Sequence, residues 1–240
     1  MIKIKKLNHS FIDKRKQKRT LFRDFNLQIA DRSVTAILGS SGLGKSTLLK
    51  FLAGHIPVKS GKILFNNKSQ MPQSAVISQE SDLFEWMTVY ENLKITTPQP
   101  QKILRYLKIV ELDKYLHSYP KELSGGMRKR LSIIRAFLSE AKYIIMDEAF
   151  AFLDIVTKQK LLSELLKMIK SAQKTVIMVT HDLDEAIYLA DKVVILAGKP
   201  VKVLETIEIP HFQSTEIWKA DSPLFLKLRN QIKSVLFEQT

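Results

Sequence analysis

Val34-Thr-Ala-Ile-Leu-Gly39-Ser-Ser-Gly-Leu-Gly-Lys45-Ser-Thr47 joins a β-branched apolar run to a turn with three glycines that ends in Lys-Ser-Thr. It continues into Leu48-Leu49-Lys-Phe51-Leu52-Ala-Gly54, so the order is strand, tight turn, helix, with Gly54 as the stop. Glycine at 39, 42 and 44 lets the backbone take conformations closed to other residues and turn its N–H groups inward at a helix N-terminus. The expected phosphate-binding loop is therefore Gly39, Ser40, Ser41, Gly42, Leu43, Gly44, Lys45, Ser46 and Thr47. Lys45 reaches β- and γ-phosphates, and the Ser46 hydroxyl coordinates magnesium.

The rest of the composition narrows the setting. The chain has 240 residues, no cysteine and a formal charge of +14. That length suits one large domain, and the missing cysteines exclude a disulfide framework and thiol chemistry. Met1 to Ser10 has no apolar core of the signal-peptide kind, and runs such as Val193 to Ala197 fall far short of the ~20 residues of a membrane helix. A cytoplasmic chain that does not itself cross a bilayer is expected. The positive charge suits nucleic acid, an anionic membrane face or simple solubility, and charge alone does not choose. Its densest run, Lys14-Arg15-Lys16-Gln17-Lys18-Arg19, lies between two alternating segments, Leu7 to Ile12 and Leu21 to Ile29, and reads as a solvated hairpin tip.

Short apolar runs at Val34 to Leu38, Ala75 to Ser78, Tyr143 to Met146, Thr175 to Val179 and Lys192 to Leu196 are of the buried parallel-strand type. Leu161, Leu162, Leu165, Leu166 and Ile169 keep helical spacing and mark a crossover helix. From about 81 to 141 no central strand is evident, and Ile103, Leu104, Leu107 and Val110 repeat with helical period. The expectation is an α/β fold: one domain over 1–240, with a RecA-like P-loop NTPase core, an antiparallel β subdomain, a helical subdomain inserted over 81–141 and a short helical tail over 210–240. Thr96-Thr-Pro-Gln-Pro100 is the one linker-like stretch.

Tyr143-Ile-Ile-Met-Asp147-Glu148 is an apolar strand ending in two carboxylates. In a P-loop protein that layout brings a magnesium-binding aspartate, Asp147, to the C-terminal edge of a parallel sheet. Glu148 is then the candidate general base that polarises the attacking water.

Between the glycine loop and the acidic strand lies Leu123-Ser124-Gly125-Gly126-Met127-Arg-Lys-Arg-Leu131. A serine N-cap with two glycines is a common turn on its own. Here, in this order and company, the sequence resembles the ABC transporter ATPase family, whose signature is Leu-Ser-Gly-Gly-Gln/Met immediately before a helix. The likeness extends from Ile2 to about Ile209. It implies that Leu123, Ser124, Gly125, Gly126 and Met127 cover ATP held by another copy, in a head-to-tail homodimer with two composite sites. It also implies a Q-loop glutamine at Gln79, contacting magnesium and the water, a D-loop over Ala149 to Asp154, and a switch histidine at His181 on the γ-phosphate. Phe11 is the candidate adenine-stacking aromatic; Phe22 and Phe25 read as core alternatives. Four positions depart from the family pattern without removing a reactive group: Asp31-Arg32 for the usual Gly-Glu, the bulky Leu43, and Ala149 where proline is common.

The segment Leu83-Phe84-Glu85-Trp86-Met-Thr88-Val89-Tyr90-Glu91-Asn92-Leu93 resembles the part of an importer subunit that docks a permease's coupling helix. The resemblance is to the subunits serving nitrate, sulfonate, taurine or pyrimidine-type solutes. It implies ATP and Mg2+ as cofactors, integral membrane permease subunits and an extracytoplasmic solute-binding protein as partners, no nucleic acid, and a peripheral place on the cytoplasmic face of the inner membrane. A non-transport ABC ATPase acting on nucleic acid or the ribosome is the alternative. Against it stand the single cassette and the absence of a sustained heptad arm. A module without turnover is disfavoured by Glu148 and His181.

Overall fold

The computed structural model describes residues 1–12, 15–78, 82–150, 155–210 and 222–237. In chain order the first elements are β1 (Ile2–Ile12), β2 (Lys18–Ile29), β3 (Val34–Leu38), α1 (Lys45–Leu52), β4 (Lys62–Phe65), β5 (Ser74–Ile77), α2 (Val89–Lys94), α3 (Pro100–Ile109) and α4 (Gly125–Leu138). Then follow β6 (Tyr143–Asp147), α5 (Ile155–Ala172), β7 (Thr175–Val179), α6 (Leu183–Leu189), β8 (Lys192–Ala197), β9 (Lys202–Glu208) and α7 (Pro223–Phe237). They divide into two units, residues 1–72 with 175–240, and residues 73–174.

The first unit holds an antiparallel sheet and a parallel one. In the former, β1 lies between β2 and β4, with Ile2 opposite both Ile29 and Phe65. Alternation sends Ile2, Ile4, Leu27 and Ile29 inward, while Lys3, Lys5 and Gln28 stay outside. The parallel sheet sets β3 between β7 and β8, and every residue of β3 and β7 is buried. Continuous apolar runs are what strands covered on both faces require. β9 adds an antiparallel edge to β8. The last helix, α7, buries Phe225, Leu228 and Ile232 at helical spacing and packs on α6, where Arg229 meets Asp184 at 3.0 Å.

Within the second unit, β5 and β6 pair in parallel with Ile77 opposite Met146. The described residues between those strands form α2, α3, two 3-10 turns and α4, with no strand. Helix α3 buries Ile103 and Leu107 and is followed by buried Val110, while Leu104, on the same expected stripe, is 40% exposed. The linker-like stretch at 96–100 is a corner between α2 and α3, with Pro98, Gln99 and Pro100 exposed. Thr97 is buried, Thr96 Oγ1 donates to Leu93 O at 2.7 Å, and Pro100 is the first residue of α3.

Two strands lie outside the apolar runs picked out in the sequence, β4 and β9. Each is an edge strand with one neighbour in its sheet, and β9 has a single buried residue, Ile207. Too little of either is covered to leave a strong apolar signal.

Candidate functional site

The glycine loop is built by close approach. A Cβ at Gly39 would sit 2.7 Å from the backbone oxygen of Leu196, which cannot give way. Gly44 caps α1 at φ 95°, and a Cβ there would meet the Leu21 side chain at 2.7 Å. Leu43 explains its own departure from the family pattern: it is 4% exposed and lies under the loop, against Gly39. Lys45 is buried, and its Nζ donates to Gly39 O at 2.7 Å and Ser40 O at 2.9 Å. Ser40, Ser41, Gly42 and Ser46 are exposed and Thr47 is half-buried. The result is a basic, glycine-lined helix entrance open to an anion.

Beside it, the parallel register of β3 with β7 matches Ile37 to Val179, so both strands end at the same sheet edge. His181 follows β7 there and is exposed. Its neighbours fix the backbone on both sides. Asp182 caps α6 by accepting from the N–H groups of Asp184 and Glu185, and Asp182 N–H donates to Thr180 Oγ1 at 3.0 Å. Thr180 Oγ1 in turn donates to the buried Glu185 carboxylate.

Phe11 also comes to this loop. It is 43% exposed, opposite Arg19 in the β1–β2 pairing, and lines a cleft of about 430 Å³ that includes Gly42, Leu43, Arg23 and Lys199. Phe22 and Phe25 are buried core residues, 5.1 Å apart between ring centroids. The cationic members of the cleft were not legible in the sequence, because Lys199 arrives from the β8–β9 turn and only the sheet brings it near.

In the second unit, β6 ends at Asp147 and Glu148 follows it; both are half-buried. Glu148 has φ 46°, a left-handed conformation that is rare for a side chain of this kind and accumulates at functional sites. Ser124 caps α4 and accepts from Met127 N–H at 3.3 Å. Ser124 and Gly125 are exposed, and nothing lies within 4 Å of where a Gly125 Cβ would be. Leu123 is buried beneath them; Gly126 and Met127 are half-buried. Gln79 and Asp154 lie outside the described residues. No cluster of three or more His, Cys, Asp or Glu able to hold a metal occurs among the described residues.

The aromatic segment after β5 is tied to α2 by one side chain. Asn92 of α2 is fully buried; its Oδ1 accepts from Phe84 N–H, and its Nδ2 lies 2.9–3.0 Å from the carbonyls of Phe84, Met87 and Thr88. Leu83 is buried, Phe84 half-buried, and Trp86 is 72% exposed with its ring 5.2 Å from that of Phe84. Asn92→Leu keeps the volume but strips these backbone groups of their partner. A loss of about 3 kcal/mol is expected from the unpaired groups, read as a lower denaturation midpoint. A loss under about 0.5 kcal/mol would show that the turn does not depend on Asn92.

A phosphate-binding loop between a parallel strand and a helix, a carboxylate-ended strand and a glycine-rich helix cap define a P-loop ATPase. The sequence profile of the ABC transporter family matches residues 22–151, and the chain belongs to that family. It is an ATP-binding ATPase. The aliphatic sulfonates import ATP-binding protein SsuB of Bacillus cereus is 38% identical over 203 residues, covering 80% of this chain and 81% of that one. An uncharacterized ABC transporter ATP-binding protein of Methanocaldococcus jannaschii is 33% identical over 227 residues, 90% of this chain and 84% of its own. In fold the chain is like the solved dimeric ATP-binding cassette bound to ADP and Pi in a post-hydrolysis state, with TM-score 0.74 and 23% identity over 88% of this chain and 100% of that one.

Proposed function

We propose that this chain is the ATP-hydrolysing subunit of an importer, energising uptake of a small solute through a separate membrane permease. The observation that carries the reading is the similarity over 80% of its length to a sulfonate import ATP-binding protein. No helix among the described residues is long and apolar enough to cross a membrane, so passage of the solute falls to the permease. The subunit works from the cytoplasmic face, beside an extracytoplasmic solute-binding protein in the same system. The proposed cassette is one domain, with the helices between β5 and β6 as its inserted subdomain and α7 as its tail.

In this reading the loop amides and Lys45 hold the β- and γ-phosphates, and Phe11 stacks on adenine. Lys45 is prepositioned for that role by its contacts to Gly39 O and Ser40 O. Glu148 takes the proton of the attacking water, and His181 contacts the γ-phosphate. Magnesium, when bound, neutralises phosphate charge. The Ser46 hydroxyl, the Asp147 carboxylate and Gln79 are oxygen donors of the kind and small number such an ion takes from a protein. The exposed Ser124 and Gly125 cover ATP on a second copy of the chain, and Asp154 ends the D-loop. Phosphoryl transfer then depends on positioning and on stabilising charge, which closure of two copies supplies.

Trp86 gives the test. Phe84→Ser and Trp86→Ser are expected to weaken recovery with a membrane permease by about 2 kcal/mol or more, the scale of an aromatic anchor. ATP binding by the same proteins should stay at the level of the parent. If the chain instead purifies with RNA or DNA, with affinity falling steeply as salt rises, the nucleic-acid alternative replaces the importer.

A further inference from the structure

Most of the positive charge lies at one end of the sequence. Residues 1–72 contain 15 Lys or Arg against 3 Asp and no Glu, whereas residues 73–240 contain 23 against 21 acidic residues. Folding gathers part of that excess on the outer face of the β2-β1-β4 sheet, within the first unit. Lys5 of β1 and Lys62 of β4 stand directly opposite each other, and both are exposed. Lys3, two residues before Lys5 on the same face, has its Nζ 3.2 Å from Asn67 Oδ1.

A bulge adds a fourth lysine. Ile4 pairs with Leu27 and Leu7 with Phe25, so Lys5 and Lys6 together face the single residue Asn26, whose Oδ1 accepts from Lys6 N–H at 3.0 Å. Lys6 takes φ 47°, a left-handed conformation uncommon for lysine, and is exposed beside Lys5. Gly61 lets the chain entering β4 close on this bulge, since a Cβ there would lie 2.3 Å from Lys6 O. Lys3, Lys5, Lys6 and Lys62 line one groove of about 590 Å³ with Asn26 and Gln28. The one carboxylate in its lining, Asp24, accepts from Asn8 Nδ2 at 3.3 Å. Among the described residues none of the four lysines forms an ion pair.

Stability does not explain this face. Like charges directly opposite on a sheet weaken it, and so does a left-handed lysine. A polyanion laid across the face removes the repulsion, and the lining says which kind. Its cations are all lysines, compact charges suited to a fluid array of anions, with no arginine fork for a fixed phosphate. It has no aromatic on which a base would stack, and it offers a sheet face where a duplex groove takes a helix or a ribbon.

We propose that the outer face of the β2-β1-β4 sheet docks on the anionic headgroups of the membrane that holds the permease. The inference rests on the importer reading for the nearness of that membrane, whose negative surface potential attracts clustered lysines.

Vesicle sedimentation tests it. The parent should bind phosphatidylglycerol/phosphatidylcholine vesicles and leave phosphatidylcholine vesicles unbound. Replacing Lys5, Lys6 and Lys62 together by glutamine should lower partitioning on the order of a hundredfold, about fivefold for each lysine near the surface. Its ATP turnover should equal the parent's, and its melting temperature should stay or rise as like charges are removed. Lys94→Gln, Lys108→Gln and Lys114→Gln together, three exposed lysines of the second unit, give the same net charge and should leave partitioning within about threefold of the parent, the effect of less than one surface lysine. The proposal is overturned if the two vesicle types bind alike, if the first triple variant partitions like the parent, or if the second loses as much. It is also overturned if RNA or duplex DNA binds more tightly than the vesicles at equal salt. A parent recovered with its permease that ignores anionic vesicles sinks the lipid face alone. A parent that binds vesicles through these lysines and is never recovered with a permease supports the face and sinks the importer reading.

Discussion

Lys45→Ala is expected to lower ATP turnover by a factor on the order of 10²–10³ or more, the scale lost when one preorganised donor to a developing anion is removed. The argument starts from placement. Lys45 opens α1, is buried to 7% exposure, and its Nζ is held by Gly39 O and Ser40 O, both in the loop itself. A cation at a helix N-terminus opposes the helix dipole, so it is disfavoured there until an anion arrives. Alanine removes the charge while the glycine geometry stays, because Gly39 and Gly44 are fixed by Leu196 and Leu21 rather than by the lysine. The substituted chain should therefore fold, and ATP affinity should drop with turnover. Arginine in its place should not restore activity, since a planar fork differs from a compact ammonium in a cradle of this size. Turnover at the parent rate in Lys45→Ala would refute the loop's role.

Glu148→Gln should behave differently in kind. Hydrolysis is expected to fall about a hundredfold or more while ATP binding persists, because only the proton-accepting group is lost. The exchange is close to isosteric. Glutamine at φ 46° carries the same backbone cost as glutamate, so a change in rate reads chemistry and not relief of strain. Single-turnover hydrolysis with an independent ATP-binding assay separates the two effects. Equal hydrolysis rates for the parent and Glu148→Gln would remove Glu148 as the base.

Such strain was not readable beforehand. Asp147-Glu148 reads as two carboxylates at the end of an apolar strand, and the strand ends as expected at Asp147. That Glu148 turns into the left-handed region is set by the chain leaving β6, not by its own preference. The signature shows a similar division. A serine before two glycines is legible as a cap, and Ser124 does cap α4. Its exposure, which the proposed contact with a second copy requires, depends on what α4 packs against.

Local chemistry therefore determined a good deal of this protein from sequence alone. Val34 to Leu38 and Thr175 to Val179 are strands because runs of β-branched residues suit a position covered on both faces, and the turn after β3 needs glycine at 39 and 44 because a Cβ there would meet Leu196 O or the Leu21 side chain. The antiparallel hairpin was legible in the alternation of β1 and β2, although both strands run longer than that alternation suggested. Tertiary structure decided the rest. It put Phe11 and Lys199 in one cleft with Gly42, from three separate stretches of chain. It buried Lys129 of α4 against the Ser78 carbonyl. The physical reason is range. Periodicity and turn chemistry act over a few residues, whereas burial of a lysine or the meeting of two loops depends on partners dozens of positions away, which exist only once the sheets and helices have packed.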